Sequence, residues 1–156
     1  MQQPRNNYLI WSGNAAIAGG LLHIATIFGG PAWYRIIGAP EPIVQMAAKG
    51  HAVPVIICVL AAAVLFACAA FAFSGAGLIR RLPFLRTALV LITVALLIHG
   101  IAFIPIVMVA PETMTGIYDG EGVNTILIVT SVICLVGAIG YALGARQAWR
   151  QMSMRA

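Results

Sequence analysis

The stretch AVPVIICVLAAAVLFACAAFAF, residues 52–73, decides the fold. It carries no charged residue over 22 positions. As a helix it would be about 33 Å long, against a bilayer hydrocarbon core of about 30 Å. Pro54 falls in the first turn, where its missing N–H costs little. Ser74-Gly75-Ala76-Gly77 then stops the helix. A tight basic connection follows, Leu78-Ile79-Arg80-Arg81-Leu82-Pro83-Phe84-Leu85-Arg86. Residues 52–73 are therefore expected to be a transmembrane helix.

Three further apolar segments flank it. The first runs from about Tyr8 to Gly29, too long for the core of a secretory signal peptide. It is read as a retained first helix. The third runs from about Thr87 to Val109, and the fourth from about Val123 to Leu143. Between helices one and two, Gly30–Pro42 is rich in glycine and proline and is expected to break any continuous helix. Ile36 and Ile37 suggest that this linker lies against the bilayer. A short amphipathic run, Ile43–Lys49, leads into the second helix. The loop Ala110–Gly122 holds Glu112, Asp119 and Glu121. A basic tail with Arg146, Arg150 and Arg155 follows helix four. Trp11, Trp33, Tyr34 and Trp149 are expected at the membrane–water interfaces, where amphipathic rings sit.

Composition agrees with the segments. Of 156 residues, 62% are hydrophobic and 8% charged, far below the quarter or so typical of a soluble domain. Mean hydropathy is +0.99. The formal net charge of +5 is not a nucleic-acid footprint, because the arginines sit at the ends of apolar segments and form no basic stripe. Their distribution orients the chain. With both termini inside, seven of nine basic residues are cytoplasmic: Arg5, Arg80, Arg81, Arg86, Arg146, Arg150 and Arg155. Only Arg35 and Lys49 lie outside, with all four acids. The expected fold is all-α: one polytopic domain of four transmembrane helices, over residues 8–29, 52–73, 87–109 and 123–143, both termini cytoplasmic.

Small residues are expected to mediate packing, since apolar attraction cannot hold helices together in lipid. Helix one offers Ser12, Ala16 and Gly20, with His23 three residues on. Helix three offers Ala88, Ala95, His99 and Ala102. Helix four offers Gly137, Gly140 and Gly144, the last two forming a G-x-x-x-G. These faces either point into the bundle or, for helix four, receive another copy or another protein.

His23, His51 and His99 are the residues that could carry chemistry. Ionisable groups within a membrane are rare. Their depths from the outer face, about 9, 0 and 15 Å at the helical rise, suit a polar ladder better than one shared ion. A metal or haem site, a proton or ion path, and neutral hydrogen-bonded histidines are the three readings. On the last, His23 and His99 face the interior, with Thr26, Thr93, Thr130 and carbonyls near Pro105 as partners. Met46, Met108 and Met114 add a hint of copper, set against methionine's common use as a gap-filler. Cys58, Cys68 and Cys134 form no C-x-x-C and read as buried packing residues. No acid lies within a span, and G-x-S-x-G, H-E-x-x-H and phosphate-cradling motifs are absent. No catalytic residue or cofactor is assigned.

Gly38-Ala39-Pro40-Glu41, Ser74-Gly75-Ala76-Gly77-Leu78-Ile79-Arg80-Arg81-Leu82-Pro83 and Trp33-Tyr34-Arg35 carry a resemblance. Over roughly residues 20–105 the chain resembles small four-helix inner-membrane proteins of proteobacteria, described only as hypothetical membrane proteins. The resemblance implies a four-helix fold in a bacterial cytoplasmic membrane and carries no activity. The expected function is that of a non-enzymatic membrane subunit or accessory protein. Its expected partners are the lipid bilayer and either a second copy or a larger membrane complex, with no nucleic acid. The rival readings are a metal- or haem-binding redox protein, or a small transporter, built on the three histidines.

Overall fold

The computed structural model describes residues 5–109 and 122–153, with side chains over 5–101 and 128–149. Every described element is a helix: α1 (Asn7–Ile36), α2 (Glu41–Ala48), α3 (Ala52–Gly75), α4 (Leu85–Val109) and α5 (Gly122–Ser153). Among the described residues, three helical stretches are long and apolar enough to cross a membrane: Asn7–Ile36, Ala52–Gly75 and Ile128–Trp149. Leu85–Ile101 of α4 is a shorter apolar stretch. The expected outer loop, with Glu112, Met114, Asp119 and Glu121, lies outside the described residues.

The long helices alternate in direction. Gly13 of α1 lies against Phe73 of α3, and Gly20 against Phe66, so the two run antiparallel. Ser12 lies on Gly140 and Leu9 on Gly144, which makes α1 and α5 antiparallel as well. Gly100 of α4 meets Leu135 of α5, while Leu96 meets Gly137. Around the bundle the order is α3, α1, α5, α4, and the seam between α3 and α4 is the thinnest. The start of α1, the end of α3, the start of α4 and the end of α5 therefore share one end. Arg5, Arg80, Arg81, Arg86 and Arg146 sit there, and it is called the basic end below.

Two buried clusters hold the bundle. At the basic end, Leu9, Ala72, Leu85, Leu89, Tyr141 and Ala145 bring all four long helices together. At the far end, Tyr34, Val44 and Cys58 pack α1, α2 and α3 against one another.

The Gly30–Pro42 linker is more helical than its composition led us to expect. Gly30 kinks α1, with φ 67° and ψ −162°, a conformation costly to any residue with a Cβ. Pro31 then opens a new helical stretch, where its lost N–H has no partner to forgo, and the helix runs on to Ile36. The run expected at Ile43–Lys49 is a separate helix, α2, that begins at Glu41 with Pro42 in its first turn. Helices α1, α2 and α3 all end on a left-handed glycine, at Gly38, Gly50 and Gly77. In each case the next N–H reaches back to a carbonyl five residues earlier, as Leu78 does to Phe73 at 2.9 Å. This geometry separates α2 from α3. The Arg35 guanidinium donates to Glu41 at 3.0 Å and bridges the turn between α1 and α2.

Helix α5 also departs from expectation. It continues ten residues beyond Leu143, through the tail read as a basic extension. Beyond Gly144 the tail Ala145–Met152 has neither glycine nor proline and is rich in good helix formers, so nothing stops the helix.

Candidate functional site

The small residues build one continuous contact system in the inner face of α1. On its α5 side a Cβ at Gly144 would stand 2.5 Å from Leu9, and one at Gly140 would collide with the Ser12 hydroxyl. On its α3 side a Cβ at Gly13 would stand 2.7 Å from the Phe73 ring, and one at Gly20 would stand 2.6 Å from Phe66. Ala16 is buried between them. Ser12, Ala16 and Gly20 thus divide between two neighbours rather than facing one. Gly140 and Gly144 are taken up by α1 of the same chain, while Gly137 has Leu96 at an ordinary 3.5 Å. Gly13 was missed in the sequence because it belongs to a second face of the same helix. Its sevenfold spacing to Gly20, matched by Phe66 and Phe73, is the signal that was available.

Asn6, also missed, locks this system at the basic end. It is buried, its side-chain oxygen accepts from the Leu9 N–H at 3.3 Å, and its amide nitrogen donates to the Gly144 carbonyl at 2.7 Å. An asparagine directly before an apolar helix is an N-cap signal. Its bond to Gly144, between the first and last helices, has no sequence signature. Ser74 plays the matching part in the basic connection: its hydroxyl donates to the Arg80 carbonyl and accepts from the Leu82 N–H.

The three histidines stand apart. His23 is half-buried, and its Nδ1 donates to the Gly19 carbonyl one turn back, at 2.8 Å. His51 is exposed at the start of α3. His99 is exposed on the outer surface of α4, which corrects the expectation that it faces the interior. The contact face of α4 is instead the row Leu85, Leu89, Ile92 and Leu96, continued by Gly100, which packs on Leu135 and Ser131 of α5. The expected threonine partners are also redirected: Thr26 donates to Leu22 and Thr93 to Leu89, each one turn back on its own helix. Among the described residues, no three His, Cys, Asp or Glu side chains stand close enough to share a metal. Met46 is half-buried on α2, and the side chains of Met108 and Met114 fall outside the described residues.

Of the expected interface anchors, Trp11 is 74% exposed, and Trp33 and Trp149 are partly exposed. Tyr34 is the correction: it is buried against Val44 and Cys58, one residue from Trp33 and about 100° round the helix from it. Its hydroxyl has no hydrogen bond of good geometry, with only the Cys58 thiol, a weak partner, beside it. Cys58 is buried, Cys68 and Cys134 are partly so, and all three are free thiols.

The described residues define an all-helical protein with three helices long and apolar enough to cross a membrane. Comparison with protein-family models, curated proteins and solved structures finds no match to this chain.

Proposed function

We propose that this chain is a non-enzymatic integral membrane subunit, acting by packing against itself or against a larger membrane complex. We further propose four spans with both termini cytoplasmic, in a bacterial cytoplasmic membrane. The supporting observation is where the polar groups go. Asn6, Ser12 and Ser74 serve helix-to-helix or helix-to-loop contact, while His23, Thr26 and Thr93 bond carbonyls one turn back on their own helices. The alternating direction of α1, α3, α4 and α5 supports the topology, since it gathers the described arginines other than Arg35 at one end.

The test is purification from native membranes in mild detergent, followed by mass spectrometry of whatever co-elutes and an absorption spectrum. A stoichiometric protein partner or a homo-oligomer is the expected outcome. A monomer carrying stoichiometric haem or metal would overturn the reading in favour of redox chemistry at the histidines.

A further inference from the structure

The side of α1 turned away from the bundle carries a second pattern. Trp11, Asn14, Ala18, Leu21, Ala25 and Phe28 follow one another at alternating steps of three and four residues. That is the seam of a left-handed helix pair. Five of the six are exposed, Trp11, Leu21 and Phe28 by 74%, 57% and 85% with Asn14 and Ala18 beside them, and Ala25 is half-buried. The buried positions Leu9, Ser12, Gly13, Ala16 and Gly20 lie on the opposite side of the helix.

Asn14 singles this face out. Its amide points away from the bundle and has no hydrogen-bond partner among the described residues. It lies about two turns into an apolar helix, near 12 Å from Asn6 by the helical rise. An amide at that depth has no water to bond, and another helix is the usual source of a partner. Ala18 and Ala25, with only a methyl each, let a second backbone come close on either side of it.

We infer that this face of α1 is the interface between two copies of the chain, paired in parallel through reciprocal Asn14–Asn14 hydrogen bonds. The second copy follows from the chemistry of the amide and from membrane insertion. A carboxamide has one acceptor oxygen and two donor hydrogens, so it is complementary to itself across a two-fold axis. Copies inserted in the same orientation place Asn14 at the same depth, so an axis along the membrane normal brings the two amides opposite each other. Ala18 then faces Ala18, and Trp11 stays near the surface. The inference rests on the membrane-subunit reading above and names one partner for it.

Cross-linking in native membranes tests the face. Ala18→Cys should give an oxidant-dependent band at twice the protomer mass. The parent, with its three native thiols, should not. Neither should Ile98→Cys, which sits at similar helical distance from the basic end on the exposed side of α4. Asn14→Leu should raise the dissociation constant measured by energy transfer in vesicles about tenfold, equivalent to about 1.4 kcal/mol. Asn14→Gln should restore part of the loss, because it keeps a self-complementary amide. Equal cross-linking at 98 and 18, or unchanged association in Asn14→Leu, overturns the interface while a dimeric parent still supports the subunit reading. A cross-link from position 18 to a different protein overturns the second copy alone. A monomeric parent with no co-eluting protein overturns both.

Discussion

Asn6 and Gly144 are 138 residues apart in sequence and joined by a 2.7 Å hydrogen bond from the Asn6 amide to the Gly144 carbonyl. The same side chain caps α1 through the Leu9 N–H, so one buried residue both starts the first helix and holds the last one to it. The contact needs Gly144 twice. Its carbonyl is the acceptor, and its missing Cβ makes room for Leu9.

Asn6→Ala should lower the thermal stability of the purified protein measurably. The lost cap alone is worth about 1 kcal/mol. The Gly144 carbonyl also loses a partner in a buried place, which adds to the cost. Asn6→Asp separates the two roles, since a carboxylate still accepts from the Leu9 N–H but donates nothing to Gly144. The expected order of melting temperatures is parent, then either variant below it, with Asn6→Asp no better than Asn6→Ala because it sets a charge beside a carbonyl. If Asn6→Asp melts with the parent, the cross-helix bond contributes nothing.

The glycines of α5 should respond unequally to a single methyl. Gly144→Ala and Gly140→Ala place a Cβ against Leu9 and Ser12, so something must shift, and overpacking of this kind costs about 1–3 kcal/mol. Gly137→Ala meets only Leu96 at 3.5 Å and should be neutral or slightly stabilising, since alanine is the better helix former. Retained folding and lipid-soluble yield can be read from detergent-resistant fluorescence of a fused reporter. Equal yields for all three variants would show that α1 and α5 do not approach as closely as the structure places them.

Much of this architecture was readable because α3 is uncharged from end to end and its stop, Gly75–Gly77, is unambiguous. What was not readable depended on faces rather than on composition. Trp33 and Tyr34 have the same interfacial chemistry, yet they sit about 100° apart on the helix, so one reaches outward and the other is buried. The row Ala88, Ala95, His99 was read as an inward face because small residues often mark contacts. Here Leu96 of α4 meets Gly137 of α5, and Gly100 of α4 meets Leu135 of α5, so the face runs through Leu96 and Gly100 and His99 is turned outward. Gly30-Pro31 was read as a break in the helix. The pair does bend the chain, but it also starts a new turn with the one residue that gives up nothing there.

The orientation can be read with cysteine probes at two described positions. Lys49 lies in the turn between α2 and α3, and Arg81 in the connection between α3 and α4, at opposite ends of α3. With the basic end cytoplasmic, Lys49→Cys should react with a membrane-impermeant maleimide in intact cells and Arg81→Cys only after lysis. The buried or half-buried native thiols at Cys58, Cys68 and Cys134 should leave a low background. The opposite labelling pattern would invert the topology.

His23 and His99 give the sharpest separation between a packing protein and a chemical one. His23 spends Nδ1 on the Gly19 carbonyl of its own helix, a bond that holds the ring along α1 and fixes its proton on that nitrogen. A glutamine offers an NH₂ donor for the same carbonyl and an acceptor oxygen in place of Nε2, so His23→Gln should fold with little loss. His99 is exposed and makes no bond among the described residues, so His99→Leu, which removes a polar group from an apolar surface, should be neutral or slightly stabilising. Both outcomes can be followed by melting temperature and by the oligomeric mass in mild detergent. Stoichiometric metal or haem in the parent, lost in His99→Leu while the fold persists, would sink the packing account and make the exposed imidazole a ligand shared with another chain.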